Sequence, residues 1–287
     1  MMAIKSIGAA LFAAITLGLP GMPLPSPAAL PPPAMPGLDS AGAGCPGASQ
    51  SLDVMVPSAA LGKPVAVRLY LPPCQPDAGR CFAAIYLLHG AGADKTQWGD
   101  IGIATAADDG RARGTLPPLI LVVPFRPDDR ADPRPDGDLP YEHFVIAELI
   151  PWVDQHTPAC ATRTQRAIGG ISRGGLWALE IAFHHPELFA AVGGDSALAQ
   201  GEGGLNPFSL LDSNLAAIRS LHVWLDVGDQ DSLKSGDAGL AADLKVDGVS
   251  TVFNQWPGGH NRAYWREHVP DYLNFYASQF LPDPCQP

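Results

Sequence analysis

Positive charge is scarce in this chain: 18 Lys and Arg stand against 29 Asp and Glu, a formal net charge of −11 over 287 residues. An acidic surface of that kind repels phosphate backbones and anionic headgroups, which argues against nucleic acid and anionic membranes as partners. Cysteine is sparse as well: there are five, and none sits at a metal-ligand spacing. The chain has no G-x-x-x-x-G-K-[ST] phosphate loop and no H-E-x-x-H zinc helix, and Gly90-Ala91-Gly92 lacks the third glycine of a dinucleotide-binding turn. Neither a metal nor an organic cofactor is therefore expected. Beyond the first twenty residues no apolar run approaches membrane-spanning length, so no integral span is expected in the mature chain. An acid-rich stretch from Phe125 to Leu139 holds Asp128, Asp129, Asp132, Asp136 and Asp138, but not in the order of a calcium loop, and reads as solvated.

What is present starts with an export pattern. Lys5 precedes an apolar run from Ile7 to Leu19, Pro20 stops it, and Ser26-Pro27-Ala28 offers a cleavage site. Residues 1–28 are read as a signal peptide and 29–44 as a Pro-rich linker; 45–287 is read as one domain, which 46% hydrophobic residues can fill with a core. The expected location is secreted or periplasmic, with an uncleaved anchor as the alternative. In an exported chain the cysteines are disulfide candidates. Cys74 and Cys81 flank a turn-forming stretch and are placed to close a small loop, leaving Cys45 with Cys160 or Cys285 and one free thiol.

Alternation at Leu52, Val54 and Val56 and again at Val65, Val67, Leu69 and Leu71 predicts an opening hairpin at a sheet edge. Nearly continuous apolar runs at Phe82–Leu88 and Leu119–Val123 suit strands buried on both faces. Further strands are expected at Gln165–Ile171, Leu188–Val192, Leu221–Val227 and Thr251–Trp256. Helical patterns separate them, at Ile101–Asp108, at Tyr141–His156 with a kink at Pro151, and at Asn261–Phe280. Eight strands alternating with helices imply an α/β fold with a mostly parallel sheet covered on both faces.

Within that frame, Gly170-Ile171-Ser172-Arg173-Gly174 follows the fifth predicted strand and has the G-x-S-x-G form of a nucleophile elbow. Small residues two before and two after the serine relieve crowding at a sharp strand-to-helix turn. The turn aims the Arg173 amide and the helix N-terminus at any oxygen that becomes negative. Asp231 follows the seventh strand and His260 the eighth, so the chain order is Ser, Asp, His, with all three just past strand C-terminal ends. The expected roles are Ser172 as nucleophile, His260 as general base and then acid, and Asp231 as the group that fixes the imidazole tautomer. Asp226 lies within a strand pattern, Asp229 is the rival acid, Ser196 lacks an elbow's flanks, and His89 reads as a loop-shaping residue.

These segments resemble the esterase-D-like family of α/β-hydrolases, which includes feruloyl and acetyl esterases, siderophore esterases, S-formylglutathione hydrolases and mycolyltransferases. The likeness spans about Leu52 to Phe280. It rests on Tyr86-Leu87-Leu88-His89-Gly90 with Trp98, Glu148-Leu149-Ile150-Pro151, the Ser172 elbow, Gly228-Asp229-Gln230-Asp231, and Gly258-Gly259-His260 with Trp265. It implies an α/β-hydrolase fold and a carboxylic-ester hydrolase acting on a small-molecule, carbohydrate-linked or lipid-linked ester. It also implies a second oxyanion donor at Ala91 beside Arg173. Asp195-Ser196 departs from relatives that often carry a histidine before the serine. The short stretch between the sixth and seventh strands leaves no room for a large lid, and Trp98 is the candidate to touch substrate. An acyltransferase using the same triad is the alternative, and a catalytically silent cell-surface binding protein is the alternative of a different class.

Overall fold

The computed structural model describes residues 45–77, 79–126, 140–201 and 206–280. The leader and linker readings, the aspartates of the acidic loop and Cys285 lie outside them.

The alternating residues of β1 (Gln50–Val56) and β2 (Val65–Leu71) form an antiparallel hairpin in register from Gln50↔Leu71 to Val56↔Val65. β1 is half-exposed along its length, as an edge strand with one packed face should be. The apolar runs become β3 (Ala83–Leu88) and β4 (Leu119–Pro124), and every residue in both is buried. At roughly 2 kcal/mol for each fully buried aliphatic side chain, these strands supply much of the apolar gain. β5 (Arg166–Ile171), β6 (Ala191–Asp195), β7 (His222–Gly228) and β8 (Ser250–Trp256) complete one eight-stranded sheet in the order β1-β2-β4-β3-β5-β6-β7-β8. Only β2 runs against its neighbours; β4 through β8 are parallel. This is the expected α/β-hydrolase arrangement.

Helices cover both faces. α1 (Gln97–Asp100), α2 (Ile103–Ala112) and α8 (Arg262–Gln279) share one apolar cluster that joins Trp98, Ile103, Tyr272 and Tyr276 to Ile85, Leu87 and Leu121 of the sheet. α5 (Arg173–His184) packs on β5 and β6, with α6 (Pro207–Ile218) against it. α7 (Lys234–Val246) lies against β7 and β8. The side chain of Asn261 caps α8 by accepting from the amides of Ala263 and Tyr264, which starts that helix two residues after His260.

Three expectations are corrected. The disulfides are Cys45–Cys74 and Cys81–Cys160, not Cys74–Cys81. A bridge between Phe82 and Ala159, with the Cys160 amide donating to the Phe82 carbonyl at 2.9 Å, lays Cys160 beside Cys81 with 5.0 Å between α-carbons. Cys45 takes Cys74 at 5.2 Å. Next, the helix over Tyr141–His156 is three pieces rather than one kinked rod: α3 (Pro140–His143), a wider π-helical turn over Phe144–Leu149, and α4 (Ile150–His156). Pro151 sits in the first turn of α4, where its missing N–H costs least. Finally, the sixth strand begins at Ala191, not Leu188, and runs through Gly193 and Gly194 to Asp195. The expected strand stops at Val192, short of that glycine pair. Here it lies in the sheet, where Tyr276 leaves no room for a side chain at Gly193 and Ala197 and Leu225 crowd Gly194.

Candidate active site

The turn between β5 and α5 is built by close backbone approach. A side chain at Gly170 would strike the Gly174 backbone, and one at Gly174 would strike the carbonyls of Leu88 and His89. Ser172 occupies φ 59°, ψ −119°, a region that non-glycine residues rarely enter. Its amide donates to the Asp195 carbonyl at 3.0 Å, and its carbonyl accepts from Leu176 and Leu198, each at 3.1 Å. These bonds hold a strained residue that local preference alone would release.

The three distant side chains meet. His260 Nε2 lies 2.9 Å from Ser172 Oγ, and His260 Nδ1 lies 2.8 Å from Asp231 Oδ2. The Asp231 side chain is fully buried and the His260 side chain is one-third exposed, so the acid is sheltered while the imidazole keeps access to solvent. The other Asp231 oxygen accepts from the Leu233 amide at 2.9 Å. With a carboxylate at Nδ1, the imidazole carries its proton there, which leaves Nε2 to accept from the hydroxyl. The rival acid has other work: Asp229 Oδ1 accepts from the Gly258 amide at 3.0 Å and clamps the loop that carries His260.

His89 shapes the neighbouring loop. Its Nε2 accepts from the Arg126 amide at 2.9 Å, so Nδ1 bears the proton and donates to the Gly90 carbonyl at 2.9 Å. Gly90 passes so near the serine that an added β-carbon would sit 3.5 Å from Ser172 Cβ. The Gly90 amide is taken by Gln97 Oε1 at 2.8 Å, and no described residue accepts from the Ala91 amide that follows. The loop carrying Ala91 thus runs beside the serine, opposite the Arg173 amide that opens α5. Trp98 is elsewhere. Its indole is fully buried, donates to the Leu88 carbonyl at 3.2 Å and meets Tyr272 edge-on. The expected substrate contact gives way to a packing role, because the ring has no exposed surface.

One participant was missed from the sequence, and another was named there only as a motif residue. Gln97 is a buried carboxamide that fixes the Gly90 amide; a glutamine between Thr96 and Trp98 carries no motif that would mark it. Trp265 meets His260 edge-on at 5.0 Å and donates to Ser196 Oγ at 3.2 Å. The sequence motif named Trp265 beside His260 without assigning it a role. Far from the site, Glu142 accepts from His184 and His185 at 3.0 and 2.9 Å, and Glu180 is pushed up to about 7 by burial. Among the described residues no group of three or more His, Cys, Asp or Glu is arranged to hold a metal ion, and no helix is long and apolar enough to cross a membrane.

Residues 58–276 match the Esterase family model, described as "Putative esterase". The chain belongs to this esterase family. It is 29% identical over 176 residues to an endo-1,4-beta-xylanase/feruloyl esterase of Xylanibacter ruminicola, covering 58% of this chain and 23% of that protein. It is also 29% identical over 148 residues to an esterase of Mycobacterium tuberculosis, covering 50% of this chain and 31% of the other. The match thus spans about a quarter to a third of the length of these curated relatives. Among solved structures, a ferulic acid esterase superposes with TM-score 0.72 at 23% identity, covering 82% of this chain and 99% of that one. An S-formylglutathione hydrolase from Staphylococcus aureus gives 0.69 at 20% identity, covering 80% and 99%. At those identities the superpositions speak for the α/β-hydrolase fold.

Proposed function

We propose that the esterase is an exported serine carboxylic-ester hydrolase that works through an acyl-enzyme on Ser172. The observation that carries this reading is the single line from Ser172 Oγ through His260 to the buried Asp231, at 2.9 and 2.8 Å. His260 Nε2 takes the hydroxyl proton as Oγ attacks the acyl carbon, and returns it to the departing alkoxide. Asp231 keeps the imidazole in the required tautomer and offsets its positive charge. The negative oxygen of the tetrahedral intermediate is stabilised by the amides of Arg173 and Ala91, each contributing about a hundredfold or more in rate. Water, activated by the same imidazole, then releases the acid.

Export is supported by the charged and apolar leader and by two disulfides, which persist in oxidising compartments. For substrate class, the likeness to a xylanase/feruloyl esterase favours an ester carried on a plant polysaccharide. The test is a panel of nitrophenyl esters of rising chain length beside feruloyl and acetylated sugars, run on wild type and Ser172→Ala. Turnover falling about a millionfold in the variant is the expected result. Equal hydrolysis by both proteins, or a wild type that a fluorophosphonate fails to label at Ser172, would overturn the reading.

A further inference from the structure

Beneath the Ser172 turn, the C-terminal ends of β6 and β7 bring two aspartates side by side. Asp195 pairs in register with Asp226, and both are fully buried. The environment of the two is unequal. Asp226 Oδ1 accepts from Trp224 Nε1 at 2.9 Å, and its Oδ2 accepts from the hydroxyls of Tyr264 at 2.7 Å and Tyr272 at 3.3 Å. Among the described residues no N–H or O–H group donates to either oxygen of Asp195, whose carboxyl neighbours that of Asp226 across the paired strands. Two carboxyl groups bond to each other only through a proton held by one of them. Asp226 has the donors that stabilise a charge, so the proton belongs on Asp195.

The backbone of the same two residues reaches the site. The Asp195 carbonyl holds the Ser172 amide, and the Asp226 carbonyl holds the Ser196 amide at 2.8 Å. Ser196, at φ 47°, turns its hydroxyl to Trp265, whose ring edge faces His260. We propose that Asp195 and Asp226 form a buried acid–carboxylate pair, with the proton on Asp195, that positions the Ser172 turn and the Trp265 ring behind His260. Asp195 is a positioning residue in this arrangement and touches no substrate.

The groups facing the pair are Tyr264, His268, Tyr272 and Tyr276 from α8, Trp224 from β7 and Asp237 from α7, with Asp231 next to Tyr264 and Asp237. Burial first, then the neighbouring Asp226 charge, holds Asp195 well above the usual carboxylate range. A raised carboxyl keeps its proton in the fold and loses it in the unfolded chain. Stability from this source is complete below the ordinary carboxyl value and is lost as pH rises toward the folded one.

The test compares wild type with Asp195→Asn, which keeps a neutral donor toward Asp226. Infrared difference spectra at neutral pH should contain a protonated-carboxyl stretch in wild type that the variant lacks, and an Asp237→Asn control should retain it. From about pH 5 to pH 8, Tm should fall more steeply in wild type, by about 3 °C per pH unit. The rate arm rests on the proposed hydrolase activity: Asp195→Leu should lose about a hundredfold in kcat/KM, Asp195→Asn should recover most of it, and its alkaline limb should move upward. No difference band, or parallel Tm profiles, would overturn the pair. Should Asp195→Asn fail to fold, Asp226→Asn must shift the same band, since the acceptor of the Asp195 proton changes from a carboxylate to an amide oxygen; a band that does not move overturns the proposal. Should neither variant fold, side-chain 13C-aspartate labelling of wild type must shift a protonated-carboxyl band, and its absence sinks the idea. If wild type and every variant lack ester hydrolysis while the band behaves as stated, the hydrolase reading fails and the pair stands.

Discussion

Asp231 and Glu142 are both carboxylates buried against histidine, at nearly the same hydrogen-bond lengths, yet the two arrangements differ in where the imidazole leads. His260 spends one nitrogen on Asp231 and aims the other at Ser172. His185 gives Nε2 to Glu142 and faces Glu187 with Nδ1 at 3.4 Å, so both of its nitrogens end on carboxylates. Burial of an acid against an imidazole therefore does not by itself make a proton relay; the second nitrogen must meet a nucleophile. What separates them is topology. His260 and Asp231 leave the C-terminal ends of β8 and β7, where the Ser172 turn also emerges, whereas Glu142 lies in α3 and His185 just past the end of α5.

Changes at the two acids should separate these roles. Asp231→Asn should lower kcat/KM by about ten-thousandfold with the fold intact, because the amide favours the wrong tautomer; activity within tenfold of wild type would mean that Asp231 does not orient His260. Asp229→Ala frees the Gly258 amide and loosens the His260 loop, for an expected loss of about tenfold in kcat/KM. A loss as large as that at Asp231 would reverse the assignment of the two acids. Glu142→Gln should leave the rate within about threefold and lower Tm by about 4 °C. Burial alone would raise Glu142, but the bonds from His184 and His185 outweigh it and hold the acid below its usual value; the Glu142 bond, against burial, raises His185. The first effect is lost as pH falls through the lowered carboxyl value, the second as pH rises through the raised imidazole value. The Tm gap between wild type and Glu142→Gln should therefore peak at about pH 5–6. A gap that does not vary with pH would remove the ion pairs from the account. Smallest is Trp98→Phe, which forfeits one buried hydrogen bond for about 1 kcal/mol in urea unfolding and leaves KM unchanged; a raised KM would restore the substrate contact first expected of that ring.

The comparison also marks what the sequence could and could not reveal. Strand period and buried apolar runs made all eight strands legible, and the G-x-S-x-G turn with Asp231 and His260 past later strand ends picked out the three side chains that meet. Those features are local, or depend on the order of elements. The disulfide partners were not legible, because a turn between Cys74 and Cys81 says nothing of the Phe82–Ala159 bridge that brings Cys160 in from 79 residues away. Trp98 misled because a position after a strand does not say which way an indole turns. Gln97 and Asp195 were illegible as participants, since each acts on a backbone amide in another part of the chain.

Among the described residues β8 is the outermost strand on its side of the sheet, paired with β7 alone, and the loop bearing His260 departs directly from it. The nucleophile rests on a strand braced from both flanks, while its base hangs from the margin, tied back by Asp229 and by the Gln230 amide on the Gly258 carbonyl. Edge strands open at lower free energy than central ones. On warming, then, the base should drift from the serine while the interior is still closed, and inactivation should run ahead of melting.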